Sequence, residues 1–384
     1  VTEQLVEAFT LLNVTLVDAD GLRSGALVVD AGKIAAVGAQ VSPRGREYDL
    51  RGALVCPGFV DVHTHGGGGF ALHTSDPAEI RAYAAWAPTT GVTAFLAGVV
   101  GIPGGLPLTQ IAAVRAAAES PGPGASILGI HLEGPYINPL RRGAHPVDWL
   151  RTPDPTETAQ ILAAAGPWLR IVTLAPELPG AEALTRCLVD AGVTVSIGHT
   201  DATYEQAHTA FTWGITHATH CCNAMRPLLH REPGPLGAIV EAEQVRGELI
   251  ADGVHVHPAM LRIMLRALGG ERTVIVSDAL RCAGMPGTRF EFGGQTVTIS
   301  EGVARLPDGT ISGSILTLDR ALRSLVREYG LPLPSAIAAL TRNPARAAGA
   351  DQHKGMLRPG YDADLLVLDA DLAVQEVYCL GRML

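Results

Sequence analysis

Short apolar runs recur along the chain and alternate with segments of helical pattern. Eight stand out: Phe59–His65, Val92–Gly98, Ser126–Glu133, Ile171–Glu177, Thr194–His199, Ile215–His220, Glu248–Asp252 and Thr273–Asp278. Between them, Ala-rich or amphipathic stretches predict helices, among them Pro77–Trp86, Leu108–Ala118, Pro155–Ala165, Ala181–Ala191, Tyr204–Trp213 and Pro258–Leu268. A strand covered on both faces reads as a continuous apolar run, and strands alternating with helices form a parallel sheet. Eight such units over about 220 residues predict an α/β fold, a closed (β/α)8 barrel of the TIM-like kind. An open doubly wound sheet is the alternative, and the placement of polar residues described below favours the barrel. Both chain ends have another texture. Leu11–Val17, Gly25–Val29 and Lys33–Val37 are short β-like runs separated by turns, and Ala363–Leu368 and Val374–Tyr378 repeat that texture at the other end. The expectation is a small β-sandwich domain formed by both chain termini, residues 1–56 plus 346–384, attached to a catalytic barrel of residues 57–345.

Composition narrows the picture. Of 384 residues, 47% are apolar and 17% charged, enough to build a large core. A net charge of −9 argues against nucleic-acid binding, because a polyanion would be repelled. No run of about 18 apolar residues is present, so no membrane span is expected. Val1–Phe9 carries Glu3 and Glu7 and lacks the basic region of a signal peptide. Cys56, Cys187, Cys221, Cys222, Cys282 and Cys379 follow no repeated spacing, and free thiols in a reducing cytoplasm are the economical reading.

The candidate chemistry lies at the ends of the apolar runs. Six of the eight supply the candidate metal-capable or acid–base groups: His63-Thr64-His65, Glu133, His199, His220, Asp252 with nearby His255, and Asp278. In a barrel the C-terminal strand ends share one face, so residues far apart in sequence converge there. His63 and His65, two apart on a strand, point to the same side and can bind one ion. The glycines Gly66 to Gly69 leave room at that strand mouth for an ion and a substrate. Glu133 ends an apolar run, where a buried carboxylate is costly unless it is paired or metal-bound. With His199 and His220 it makes a three-ligand site with an open position for water. Asp278, on the last strand, is the natural proton carrier: it takes the proton of an attacking water and returns it to a leaving nitrogen. Histidine and carboxylate ligands suit a divalent metal, Zn²⁺, Fe²⁺, Mn²⁺ or Co²⁺.

These residues also stand in a familiar order. Pro57-Gly58-Phe59-Val60-Asp61-Val62-His63-Thr64-His65-Gly66 resembles the first-strand signature of the amidohydrolase superfamily. His131-Leu132-Glu133-Gly134-Pro135, Gly198-His199-Thr200-Asp201-Ala202, Asn223-Ala224-Met225, Arg231-Glu232-Pro233-Gly234, Asp252-Gly253-Val254-His255, Ser277-Asp278-Ala279 and Ser312-Gly313-Ser314 resemble its N-acetylglucosamine-6-phosphate deacetylase family, and so does the tail from Thr341 to Leu365. The resemblance covers nearly the whole chain. It implies hydrolytic deacetylation of N-acetyl-D-glucosamine 6-phosphate to D-glucosamine 6-phosphate and acetate, in amino-sugar catabolism and cell-wall sugar recycling. It implies that Glu133, His199 and His220 bind the main ion, that His63 and His65 support a second, and that Asp278 is the acid–base. It further implies that Ala144 and His145 contact the sugar or its acetamide, that Asn223 and Ala224 hold the phosphate, that Asp252 and His255 serve the sugar or phosphate, and that Ile311, Ser312 and Gly313 line the pocket. Arg231 would reach the phosphate in the neighbouring subunit, which implies a homodimer. The pattern departs at Cys221-Cys222, Ser277, Arg281 and Cys282. We read the two adjacent cysteines as packing residues, not thiolate ligands.

Counting lysines disfavours one competing branch. Cyclic amidases of the superfamily bridge two ions with a carbamylated barrel lysine, whereas Lys33 and Lys354 both lie outside residues 58–345. Deaminases lack the Glu133-Gly134-Pro135 and Asn223 to Arg231 blocks. A catalytically dead sugar-phosphate binder would have lost a ligand or the acid–base, and all six are present. A deacetylase of N-acetylgalactosamine 6-phosphate stays open, because the orientation of one hydroxyl is not written in the sequence.

Overall fold

The computed structural model describes residues 7–287, 289–292 and 294–384. Most of the terminal segment read above for a signal peptide, residues 1–6, lies outside the described residues. The eight apolar runs form eight parallel strands paired in chain order. They are β1 (Phe59–Thr64), β2 (Val92–Val100), β3 (Ser126–Glu133), β4 (Leu169–Leu174), β5 (Thr194–Ile197), β6 (His217–Ala218), β7 (Arg246–Ile250) and β8 (Thr273–Val276). Asp278 N donates to His63 O at 2.8 Å and His65 N to Ala279 O at 2.8 Å, which joins the last strand end to the first and closes the barrel. β1, β2 and β8 are buried at every position, as strands inside a helical shell must be.

The outer ring consists of α1 (Pro77–Trp86), α2 (Leu108–Glu119), α3 (Pro155–Ala165), α4 (Ala181–Asp190), α5 (Tyr204–Phe211), α6 (Gly234–Glu241), α7 (Pro258–Arg272) and α8 (Leu318–Arg327). Local sequence sets several of their starts. Asp76 and Asp154 accept from the first free backbone N–H groups, with proline following as the first helical residue. Thr203 and Gln206 form a reciprocal capping box on α5.

Strands from both chain ends form one continuous mixed sheet. Leu54–Pro57 runs parallel to Phe9–Asp18 on one side and antiparallel to Leu365–Leu368 on the other. Leu11, Leu16, Leu27, Val29, Val55, Leu365 and Val367 form its core, separate from the barrel core. Between β8 and α8 the chain makes an excursion that the hydrophobic pattern did not announce. Arg289–Phe292, Gln295–Ser300 and Val303–Arg305 form a three-stranded antiparallel sheet over a small core of Leu280, Cys282, Val297, Ala304 and Leu306. From it residues 310–313 return toward the barrel mouth, tied by Ser312 N to Ala304 O at 3.1 Å and Ser314 N to Asp278 O at 2.7 Å. No helix among the described residues is long and apolar enough to cross a membrane.

Candidate metal centre and active site

At the C-terminal mouth of the barrel a cavity of about 310 Å³ is lined by His65, Glu133, Ala144, His145, His199, His220, Asn223, Ala224, His255, Asp278, Ile311, Ser312 and Gly313, together with Gly143, Leu280 and Thr310. Thirteen of the sixteen candidate residues therefore meet in one cavity. His63 lies beneath its floor, with Nε2 3.5 Å from Glu133 Oε1 and 3.7 Å from Asp278 Oδ1. Asp252 stands outside the lining and holds His255, whose Nδ1 is 2.6 Å from Asp252 Oδ2. Arg231 is exposed outside the cavity and forms no ion pair with Glu232 among the described residues.

The strand ends aim these side chains. His199, His220 and Asp278 follow their strands with left-handed backbone, at φ of 46°, 27° and 47°. This conformation is costly for residues with a Cβ and clusters where surrounding structure demands it. Here it turns each side chain off the strand line into the mouth. Ala224, at φ 49°, and Asn223 form the next turn, with Asn223 N donating to His220 O at 3.0 Å.

The donor atoms crowd together. His199 Nε2 is 3.0 Å and His220 Nε2 3.1 Å from Glu133 Oε1, and the two nitrogens are 3.1 Å apart. His65 Nε2 lies 3.2 Å from Glu133 Oε2 and 3.3 Å from Asp278 Oδ1, and His145 Nε2 3.4 Å from Glu133 Oε2. His199 Nδ1 must donate to Arg141 O, 2.8 Å away, because a carbonyl only accepts. In a neutral ring Nε2 then presents a lone pair to the lone pairs of Glu133. A cation among these atoms resolves that conflict. Ligand atoms about 2.1 Å from a tetrahedral ion stand about 3.4 Å from one another, close to the spacings observed. His63 Nε2 is buried without a hydrogen-bond partner among the described residues, a further ligand atom facing the same space. The residues present thus fit a divalent ion. His63, His65 and Asp278 form one compact candidate group, and Glu133, His199 and His145 another.

Electrostatics agree with this chemistry. Burial opposes charge on His63, but the Glu248, Glu133 and Asp278 carboxylates outweigh it and hold its pKa well above the usual histidine value. Burial likewise opposes charge on His65, yet Asp278 and Glu133 push it up to about 9. Burial would raise Glu133 and Asp278, but the surrounding histidines, His63 foremost, hold both below the carboxylate norm. Negative charge is thus concentrated where a cation would sit. Burial pushes the Cys221 thiol far up and that of Cys222 up to about 11, which disfavours thiolate ligation.

Several supporting residues escaped the sequence reading. Glu177, after β4, accepts from Asn138 Nδ2 at 2.8 Å, Thr200 Oγ1 at 2.5 Å and Asp201 N at 2.6 Å, which ties the loops on either side of His199 together. His131 sits under the floor between Val62 O at 2.8 Å and Thr173 Oγ1 at 2.7 Å. Glu248, on β7, contacts His63 Nδ1 at 2.9 Å and His217 Nε2 at 3.0 Å. An acid inside the run Gly247-Glu248-Leu249-Ile250 was the available signal, since an unpaired charge there would be prohibitive.

Comparison with known proteins adds to the geometry. The profile of the Amidohydrolase family matches residues 54–384. N-acetylgalactosamine-6-phosphate deacetylase of Escherichia coli O157:H7 is 37% identical, over 86% of this chain and 87% of the relative. N-acetylglucosamine-6-phosphate deacetylase of Bacillus subtilis (strain 168) is 34% identical, over 99% of this chain and 98% of the relative. Among solved structures, a variant of N-acetyl-D-glucosamine-6-phosphate deacetylase from Mycobacterium smegmatis, in complex with N-acetyl-D-glucosamine-6-phosphate, superposes with a TM-score of 0.91 at 38% identity, covering 98% of this chain and 99% of that one. The chain belongs to the amidohydrolase family, and within it to the N-acetylglucosamine-6-phosphate deacetylases.

Proposed function

We propose that this chain hydrolyses the acetamide of N-acetyl-D-glucosamine 6-phosphate to D-glucosamine 6-phosphate and acetate. The observation that carries the reading is the convergence of Glu133, His199, His220, His63, His65 and Asp278 at the floor of one cavity. Glu133, His199 and His220 would hold one divalent ion, and His63 and His65 with Asp278 a second. Zn²⁺, Fe²⁺, Mn²⁺ and Co²⁺ all suit the donors. Bound there, such an ion supplies Lewis acidity, which lowers the pKa of water from about 16 toward 7 and polarises a carbonyl.

The chain's own residues do the rest. Asp278 takes a proton from the attacking water as its oxygen adds to the acetamide carbon. It returns that proton to the nitrogen as the C–N bond breaks, so the amine leaves neutral. His145, at the cavity wall, orients the acetamide and sugar. Asn223, Ala224 and His255 receive the phosphosugar, with Asp252 fixing the His255 ring, and Ile311, Ser312 and Gly313 close the opposite side. Arg231, exposed and unpaired with Glu232, is free to reach a phosphate in a second copy's cavity, so the active form is a homodimer. All six cysteines are free thiols, which suits a reducing cytoplasm.

Acetate release from N-acetylglucosamine 6-phosphate by the purified, metal-loaded protein tests the activity. Full metal occupancy with no acetate would overturn it. The similarity to the E. coli protein supports a second reading, N-acetylgalactosamine 6-phosphate as substrate. The ratio of kcat/KM for the two epimers decides between them.

A further inference from the structure

Behind the centre, inside the barrel, lies a carboxylate that the mechanism above does not use. Glu248 is fully buried on β7. Its Oε2 faces His63 Nδ1 at 2.9 Å and accepts from His220 N at 3.0 Å, and its Oε1 faces His217 Nε2 at 3.0 Å. One side chain thus braces the ring of His63 on β1 and the backbone of His220 after β6. A charge in a barrel core is expensive, and a position that only needed filling between Gly247 and Leu249 would take an apolar residue at lower cost.

We infer that Glu248 is a positioning residue for the ion-binding face formed by His63, His65 and Asp278. An ionised carboxylate only accepts, so in the neutral, ion-binding form of the His63 ring the remaining proton sits on Nδ1. The Nε2 lone pair then points toward Glu133 and Asp278, the orientation an ion requires. A carboxylate behind a ligating imidazole also restrains the ring and raises its basicity, and losing such a partner weakens metal affinity 10- to 100-fold. His199 is oriented differently, by the neutral carbonyl of Arg141, whereas the brace behind His63 is a carboxylate. This inference rests on the metal-centre reading above.

Protein loaded with Zn²⁺ is dialysed against graded chelator, and retained ions are counted for the unmodified chain, Glu248→Gln, His63→Ala and the double variant. Glu248→Gln is expected to lose an ion at 10- to 100-fold lower chelator strength, and to add no further loss in the His63→Ala background. Retention equal to the unmodified chain, or an equal additional loss in the His63→Ala background, overturns the role assigned to Glu248 and leaves the metal centre standing. No Zn²⁺ retained by the unmodified chain overturns both. Should the variants fail to fold, histidine ¹⁵N resonances of the unmodified loaded protein give the same decision. A His63 ring protonated on Nδ1 and ligated through Nε2 supports the inference, and one protonated on Nε2 overturns it.

Discussion

Asp278→Asn isolates the proton transfer from the rest of the centre. The substitution preserves shape, and asparagine tolerates the left-handed backbone that Asp278 adopts at φ 47°. The backbone ties of residue 278, its N to His63 O at 2.8 Å and its O from Ser314 N at 2.7 Å, do not depend on the side chain. An amide oxygen can still face His65 Nε2, 3.3 Å from the present Oδ1. What disappears is a group that accepts a proton and gives it back. General acid–base catalysis contributes about 10²- to 10⁴-fold, which corresponds to about 2.7–5.5 kcal/mol of barrier. Continuous measurement of acetate release should show kcat and kcat/KM falling together by that factor, because the lost interaction belongs to the transition state. Occupancy of the ion held by Glu133, His199 and His220, and the thermal midpoint, measured on the same preparation, should stay near the unmodified values. Turnover within about threefold of the unmodified chain at full metal occupancy would refute the assignment of Asp278 as proton carrier.

Three further outcomes are expected. Arg231→Ala should raise KM for the 6-phosphorylated sugar far more than for its unphosphorylated counterpart, and equal effects would remove Arg231 from the phosphate. Gly98→Ala places a Cβ 2.5 Å from Thr64 O and 2.7 Å from His65 Nδ1, so it should displace His65 and lower chelator resistance by about tenfold, roughly 1.4 kcal/mol. Unchanged metal retention would show that the strand yields instead. Lys354→Met removes the buried cation that contacts Asp364 at 2.6 Å, Asp362 at 2.9 Å and Ser126 at 3.0 Å. Breaking a buried pair in this way costs about 3–5 kcal/mol. An unfolding entropy of about 0.8 kcal/mol/K for a chain of this size converts that to a Tm lower by about 4–6 °C in calorimetry at fixed scan rate. The pH profile carries the same signature. Burial opposes charge on Lys354, but Asp364 and Asp362 hold its pKa above the usual lysine value, so its stabilisation is complete below about 10.4 and is lost as pH rises through the folded pKa. Asp362 is held low by Lys354 and Lys33 against burial, so its share is present above about 3.9 and is lost as pH falls through the folded pKa. Lys354→Met should flatten both limbs, and a Tm unchanged at every pH would refute the argument.

Different parts of the molecule were legible to different degrees. The barrel strands were readable because burial on both faces forces unbroken apolar runs, and β3 and α3 keep the bounds that their patterns predict. The ends of β5 and β6 were less so, since His199 and His220 leave the ladder in left-handed turns that hydrophobicity does not encode. Glu133, His199, His220 and Asp278 announced themselves as polar ends to apolar runs. His145, Asn223 and Ile311 to Gly313 sit on loops, and only resemblance to a family marked them. Glu248 and His131 stayed hidden because their partners, His63, His217 and Thr173, come from other strands. The Arg289 to Arg305 excursion was missed because its strands are short and half exposed, with few residues committed to a core.

The pairing of Leu54–Pro57 with Leu365–Leu368 has a consequence for biosynthesis. The earlier strand leaves the ribosome almost a whole chain ahead of its partner, so one edge of its sheet stays open during translation. The barrel faces the same delay, because its first strand is sealed by its last. Such distant pairings slow folding and leave strand edges available to wrong partners. Ribosome-bound fragments that stop short of residue 365 are therefore expected to need chaperone protection, and to become protease-resistant only when the final strands emerge.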